Sequence, residues 1–440
     1  MNVIAAPISG SSPLRAENRD LSLPTGRPRR VMLLMTPKTY RARAFVEAAE
    51  RLGLEVVRVV DMPPELAAHW NVPLGVDFLD LEAATRAIVE FAASRPVDAI
   101  ISVDDGASLL AARASATLGL PHNSPEAAEA ARNKHRMRAL LAQGGVRAPE
   151  FRLCSTGDDF RDLAARVECP CVVKPLRLSG SRGVMRADDP DQFVIAAGRL
   201  KALLDSIDPS PRPKPFLVED FVPGFEVALE GVLDHGRLKV LALFDKPDPL
   251  DGPFFEETIY VTPSRLPQDV QAAIAQCASD AAQALGLREG PMHAELRVNA
   301  AGPWLIEVAG RSIGGMCSKT LRFGTDVSLE ELILRQACGL GIESLDRERR
   351  AGGVMMIPIP EAGILRRVEG EVEARAAPGI EDVQITARLN NPIVPLPEGD
   401  SYLGFIFARG ESPDEVEAAL REAHRRLRFV IEPTIQLLPI

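Results

Sequence analysis

Between His293 and Arg311 two apolar runs carry ionisable groups at every second place. His293, Glu295 and Arg297 alternate with Ala294, Leu296 and Val298; a few residues on, Glu307 alternates with Ile306 and Val308, and Ala309 and Arg311 continue its register. A strand points successive side chains to opposite faces, so each run has one apolar face and one ionisable face. Two such antiparallel strands hold Glu295 and Glu307 side by side. Paired carboxylates are costly unless a cation sits between them, and hard oxygen ligands suit Mg²⁺. A second reading is a structural ladder in which Glu295 and Glu307 face Arg297 and Arg311. His293 is open in the same way, between a substrate ligand and a satisfied core histidine. Gly314-Gly315 after Arg311 is either a plain turn or a pair of N–H groups presented to an oxyanion.

The rest of the chain supplies a frame for that pair. At 440 residues the prior is two or three domains, with enough chain to bury cores without disulfides or metals. Residues 1–28 are rich in Ser, Pro, Gly and Arg and read as a flexible tail. Over 29–122, β-branched runs at Arg30–Met35, Leu54–Val60 and Asp98–Val103 alternate with helical patterns at Arg41–Leu52, Leu81–Ala93 and Ser108–Leu118. That alternation predicts an N-terminal parallel α/β unit. A helix over Pro125–Gln143, capped by Ser124, follows. Residues 123–345 change to short strands and glycine-rich turns, an α+β pattern with helices near Gln192–Leu204 and Gln268–Leu285. A smaller α+β unit fills 346–440, with strands near Val354–Ile357 and Leu403–Ala408 and a helix at Pro413–Leu427 capped by Ser412.

Two further segments carry chemistry. Lys174-Pro175 ends a strand and is followed by Ser179-Gly180-Ser181-Arg182-Gly183. Successive N–H groups in such a loop cradle a phosphate, and Lys174 adds a point charge; the alternative is a solvent loop with an exposed lysine. Neither a Walker loop nor a dinucleotide fingerprint is present. Downstream, the run Phe216–Val222 ends in free backbone groups able to read an adenine edge, and Glu226 stands seven residues after Glu219, where a carboxylate can accept ribose hydroxyls. Surface glutamates on strands are the commoner outcome.

Composition closes off other classes. The net charge of −10 argues against nucleic acid, whose phosphates need a basic surface. No apolar run approaches the ~18 residues of a membrane span, and the N-terminus lacks a secretory signal. The six scattered cysteines suit reduced thiols in a cytoplasm, without a zinc site.

Taken in order, these segments resemble the ATP-grasp superfamily, and most of all the carboxylate–amine ligases related to bacterial L-amino acid ligases. Asn133-Lys134-His135-Arg136-Met137-Arg138 is similar to the start of an ATP-grasp domain, and Leu396–Phe405 to the C-terminal module of these ligases. The resemblance implies a pre-ATP-grasp domain over 29–122, a two-lobed ATP-grasp domain over 123–345 and a C-terminal domain over 346–440. It implies that Lys134 and Lys174 contact ATP phosphates under the loop of Ser179, Ser181 and Gly183. Glu219 with the backbone of Phe221 and Val222 would hold adenine, and Glu226 the ribose. Glu295 and Glu307 would bind Mg²⁺, for which Mn²⁺ can substitute, and Arg311 would hold an acyl phosphate. The reaction implied joins a small-molecule carboxylate to an amine and releases ADP, in a homodimer. Many ATP-grasp enzymes have Asn two residues after the second metal glutamate; here it is Ala309, which removes one oxygen ligand and favours the amino acid ligase branch. Other readings are a biotin-carboxylase-like or purine-pathway enzyme and a nucleotide-binding regulatory protein without turnover. The charged, aromatic loop from Asp245 to Thr258 is a candidate for specificity through Lys246 or Glu257, or else for packing between lobes.

Overall fold

The computed structural model describes residues 27–433; most of the expected tail lies outside them. Four strands, Leu74–Val76, Glu55–Asp61, Arg30–Met35 and Ala99–Ser102, form a parallel sheet in that spatial order. The helices Leu81–Ser94 and Ser108–Leu118 cover one face and Ala42–Arg51 the other, as parallel pairing requires. Met32, Leu34 and Val59 pack against Ile88, Leu110 and Ala114 on one face, while Val31 and Leu33 face the rest of the molecule.

The expected helix over Pro125–Gln143 is two helices. Pro125–Arg132 ends at Asn133, whose extended backbone breaks the turn, and the Asn133 side chain then caps Lys134–Gln143 by accepting the Arg136 N–H. An asparagine inside a helical pattern is a cap in waiting. This break sets the position of Lys134.

Next comes a small antiparallel sheet of Phe151–Ser155, Pro215–Asp220, Cys171–Pro175 and Met185–Ala187, in that spatial order. The helix Pro190–Ile207 covers it with Phe193, Ala197 and Leu200. The largest sheet has eight antiparallel strands: Gly302–Ala309, Gly290–Asn299, Phe225–Asp234, Arg237–Asp245, Ile259–Thr262, Ala351–Ile357, Gly404–Gly410 and Ile380–Ile385. The C-terminal strands therefore extend the central sheet through the pairing of Ile259–Thr262 with Ala351–Ile357. A second, three-stranded sheet of Pro392–Ile393, Gly363–Glu369 and Arg428–Glu432 completes that end. The helix Pro413–Arg426 carries Ser412 as its cap.

One face of the central sheet is covered by the helix Gln268–Leu285, through Ile274, Ala278 and Ala281 against Leu296, Leu305 and Val308. The other face contributes Ala228, Leu241 and Phe244 to a core shared with Val31 and Leu33 of the parallel sheet and with Val354, Phe405 and Phe407 of the C-terminal strands. Phe244 is fully buried there and meets Tyr260 edge-on at 6.1 Å between ring centres. Among the described residues no helix is long and apolar enough to cross a membrane. Because three parts of the chain meet around Phe244, Phe244→Ala is expected to cost about 3–5 kcal/mol. A lower urea midpoint checks this, and an unchanged midpoint refutes the shared core.

Candidate active site

The face of the central sheet that turns toward the parallel sheet carries the ionisable groups. His293 stands opposite Glu230, Glu295 opposite Ala228 and Arg297 opposite Glu226 on one side. On the other side Glu295 is the register partner of Glu307, and His293 of Ala309. A bulge between Glu295 and Leu296 shifts the pairing there, a common way to re-aim a side chain beside a site. The two carboxylates are thus side by side, and the arginine ladder does not form. Arg297 turns to Glu226 at 2.9 Å, and Arg311 to Asp105 at 2.6 Å.

Lysines occupy the positions next to the carboxylate pair. Lys134 Nζ lies 3.1 Å from Glu307 and donates to the Leu178 carbonyl at 2.9 Å. Lys246 Nζ is buried among three carboxylates, Glu226 at 2.8 Å, Glu257 at 3.0 Å and Glu295 at 3.4 Å. Burial disfavours its charge, but the three acids outweigh it and hold its pKa well above the usual lysine value. Burial also raises Glu257, against the pull of Lys246. Lys246 and Glu257, the specificity candidates of the loop from Asp245 to Thr258, are thus ion-paired to each other at 3.0 Å.

Lys174 is buried too, 2.6 Å from Glu219. Desolvation lowers its pKa, with Arg138 and Lys134 adding to the effect and Glu219 opposing it. The Lys134 N–H donates to the Leu176 carbonyl at 3.0 Å, two residues past Lys174, which brings both lysines to the same end of the small sheet. Glu219 is not a surface glutamate: it is 3% exposed and also 2.7 Å from Arg138 Nε. Arg138, among the largest fully buried side chains, was not singled out from the sequence.

The backbone expected to read adenine is partly committed. The Phe221 N–H donates to Pro170, and the Val222 carbonyl accepts from Arg297 at 2.8 Å. The Phe221 carbonyl and the Val222 N–H keep no protein partner among the described residues, which leaves one acceptor and one donor side by side. Glu226 has both oxygens engaged, by Lys246 and Arg297.

In the glycine-serine loop, Gly180, Ser181 and Gly183 all have positive φ. Gly183 has no room for a side chain, because a Cβ would lie 3.0–3.3 Å from Leu203, Leu200 and Pro175. Its N–H is not free for an anion, since it donates to the Pro397 carbonyl at 2.8 Å. Arg182 Nε donates to the Glu398 carbonyl at 2.9 Å, and Arg199 holds the Glu398 carboxylate with two hydrogen bonds of 2.9 and 3.0 Å. The loop is thus fastened to the C-terminal segment 396–400, and the N–H groups of Ser179, Gly180 and Ser181 keep no protein acceptor among the described residues. Ser179 and Ser181 keep their hydroxyls unpaired among the described residues.

Gly315 likewise uses its N–H, donating to the Tyr40 hydroxyl at 2.9 Å, and the preceding Ile313 N–H donates to Glu230. Gly315 takes the positive φ of that turn, and the Gly314 N–H keeps no protein partner among the described residues. His293 is 7% exposed, 3.6 Å from fully buried Glu230 and 3.4 Å from Glu295. Burial raises the Glu230 pKa, with His293 opposing.

The parallel sheet completes the site through residues the sequence reading passed over. Asp105, just beyond the strand Ala99–Ser102, binds Arg311; its neighbour Asp104 accepts from Thr36 and Thr39 and so ties two strand-end loops together. Burial opposes the Arg311 charge, but Asp105 lifts its pKa above the usual arginine value. Arg41 is lowered by burial and by Arg311 beside it. The available signal was position: in open α/β sheets ligands bind outside the carboxyl ends of the strands.

Chemically, the site offers two adjacent carboxylates for a divalent cation, two converging lysines and free loop N–H groups for phosphates, and a donor–acceptor backbone pair for a base edge. The comparisons with known proteins bear on this arrangement. The ATP-grasp domain family matches residues 167–320, the ATP-grasp N-terminal domain matches 46–122, and the L-amino acid ligase C-terminal domain 2 matches 355–432. The uncharacterized protein y4rH of Sinorhizobium fredii is 26% identical over 92% of this chain and 84% of its own length. The alanine–anticapsin ligase of Bacillus subtilis is 29% identical over 58% of this chain, and the match spans 57% of that ligase. The crystal structure of an L-amino acid ligase from Bacillus licheniformis superposes with a TM-score of 0.76 at 28% identity, over 93% of this chain and 100% of that one.

Removing the Lys246 ammonium would leave the largely buried Glu257 without an ion pair and take one cation each from Glu226 and Glu295. Lys246→Met is expected to cost about 3–5 kcal/mol near neutral pH. Unpaired buried carboxylates take up protons above their unfolded pKa, so the deficit should shrink as pH falls from about 8 to about 5. Melting curves across that range check it; a pH-independent deficit contradicts the assignment.

Proposed function

We propose, for a chain that belongs to the ATP-grasp proteins and is built like an L-amino acid ligase, that this site joins a carboxylate, an amino acid in the first instance, to an amine at the expense of ATP. The observation that carries the proposal is the opposed pair Glu295 and Glu307 with Lys134 and Lys174 converging beside it. The donor set fits Mg²⁺ or Mn²⁺: both carboxylates are free of the arginines and keep oxygens toward the lysine side. Glu295 and Glu307 would hold the ion, whose chemistry is to neutralise phosphate charge. Ala309 supplies no further ligand.

ATP lies with its base against the Phe221 carbonyl and Val222 N–H, its ribose toward Glu226, and its phosphates toward Lys134, Lys174 and the N–H groups of Gly180 and Ser181. The substrate carboxylate attacks the γ-phosphorus and ADP leaves, giving an acyl phosphate. Arg311, fixed by Asp105, neutralises the charge on that group. The amine then attacks the acyl carbon, phosphate departs and an amide remains. The protein contributes mainly positioning and charge. Lys246 and Glu257 face the same space and bear on which carboxylate is accepted. Cytoplasmic placement rests on the scattered free cysteines, and a homodimer on the family resemblance alone.

The test is ADP release with Mg-ATP over a panel of carboxylates, with and without amino acids. Release that needs both partners and vanishes in Glu307→Gln is expected. Arg311→Met should lower kcat by about 10²–10³ while ATP still binds. ATP binding without turnover across the panel favours a nucleotide-binding regulator, and bicarbonate-dependent release without an amine favours a carboxylase. A second measurement addresses the loop. An acyl phosphate must be kept from water, so Glu398→Gln with Arg182→Gln, which removes the side-chain ties to segment 396–400 and leaves the Gly183–Pro397 hydrogen bond, should raise ADP release that yields no amide. Unchanged coupling would show that the fastening has no part in closure.

A further inference from the structure

The helix Pro413–Arg426 stands outside the site, yet it reaches the loop from Asp245 to Thr258 by ion pairs on either side of Lys246. Asp414, Glu417 and Arg421 are spaced three and four residues apart and so share one face of that helix. Glu417 is the centre of the contacts. One of its oxygens lies 2.9 Å from Arg265 Nη1 and the other 2.9 Å from Arg421 Nη2. Arg265 turns its Nε and its backbone N–H to Asp245, at 2.9 and 3.0 Å. Arg421 meets Asp248 at 2.5 Å. Acid and base thus alternate from Asp245 through Arg265, Glu417 and Arg421 to Asp248, and Lys246 lies on the chain between the two ends.

Both ends of this ladder are committed. Asp245 is 1% exposed, and its Oδ1 has no hydrogen-bond partner among the described residues, so its charge depends on Arg265. Asp248 also accepts the Thr258 hydroxyl, which closes the neck of the loop where Lys246 and Glu257 meet at 3.0 Å. The tip of the loop is fastened elsewhere. Arg186 of the small sheet donates its backbone N–H to the Pro253 carbonyl at 2.9 Å and its Nη1 to the Asp251 carbonyl at 2.7 Å, and the Phe255 ring lies 6.5 Å from that of Phe221. Neck and tip therefore have separate anchors, the first on the C-terminal helix and the second beside the Phe221–Val222 backbone. The side chains of Arg265, Arg421 and Asp248 are 34, 38 and 30% exposed, and single pairs this open add little to stability. What a ladder of them fixes is the place of the neck.

We infer, on the ligase reading with Lys246 and Glu257 as its specificity pair, that Glu417 is a positioning residue: through Arg265 and Arg421 it sets where that pair stands, and so how tightly the donor carboxylate is held. ATP, on the other side of the loop, is held independently of it.

Hydroxylamine provides the test, because it captures an acyl phosphate as a hydroxamate without an amino acid acceptor. The common L-amino acids are supplied one at a time as donor with Mg-ATP and hydroxylamine, and kcat, donor KM and ATP KM are read separately. Glu417→Gln removes the charge and keeps the shape. It is expected to raise donor KM about tenfold, as for the loss of one charge-assisted contact, with kcat at saturating donor, ATP KM and melting temperature retained; a KM that rises alone marks lost substrate binding. Arg421→Gln should act in the same direction, and Arg421→Lys should recover part of the loss. Because Glu417 and Asp248 act along one ladder, Glu417→Gln with Asp248→Asn should cost no more than the worse single change. A donor KM that stays put in both Glu417→Gln and Arg421→Gln, a kcat that falls with melting temperature at constant donor KM, an equal rise of ATP KM, or additive losses in the double variant each overturns the role of Glu417 while the ligase reading stands. Absence of hydroxamate from the wild type with every donor sinks both.

Discussion

Two carboxylates facing each other on an otherwise apolar sheet, Glu295 and Glu307, set the terms for everything around them. Taking even one such charge out of water is expensive, and a pair is worse unless cations stand close. The chain answers from three directions. Lys134 arrives from a helix start, Lys246 from the end of a neighbouring strand, and the parallel sheet supplies Asp105 to hold Arg311 nearby. Each of these cations has a second anchor of its own: Leu178 for Lys134, Glu226 and Glu257 for Lys246, the Ser312 carbonyl for Arg311. The network is satisfied without being self-neutral in one fixed pairing, which suits a site that must exchange partners with a charged substrate.

The same face explains why three parts of the chain share one core. The charged end of the sheet lies toward the parallel strands, and a little further along the same face Ala228, Leu241 and Phe244 bury apolar surface with Val31, Leu33, Phe405 and Phe407. Rigid packing there fixes the loops after the parallel strands against the sheet. The C-terminal segment adds a second restraint, because residues 397–400 hold the glycine-serine loop by Gly183 and Arg182, while Arg199 of the helix Pro190–Ile207 holds Glu398 in place. A loop with three positive-φ residues is cheap to move, so where it rests is decided by what it is fastened to.

Much of this was legible in the residues. Alternation with period two marked the charged face, and the helix Gln268–Leu285 and the Ser412 cap were readable from pattern and capping chemistry. The places where the reading fell short share a cause. Pro125–Gln143 has one continuous helical pattern, and only the tertiary demand on Lys134 makes Asn133 act as a break. The N–H groups of Gly183 and Gly315 were read as free because their acceptors, Pro397 and Tyr40, lie far off in sequence. Arg138, Asp104 and Asp105 show their partners nowhere nearby in sequence, since an isolated charged residue looks the same whether it is solvated or buried.

By itself, then, the sequence determined the periodicities: which strands have an ionisable face, where helices start, and the order of lysine, glycine-serine loop and paired glutamates that resembles the ATP-grasp ligases. These are properties of neighbours along the chain, where backbone geometry fixes spacing. Only the tertiary structure decided which charge meets which. Glu295 and Glu307 do not pair with Arg297 and Arg311, although the first three alternate on two paired strands and Arg311 follows just past the second, because Arg297 meets Glu226 and Arg311 meets Asp105. Coulomb attraction and desolvation depend on distance and burial, and neither is written in the spacing of residues along a chain.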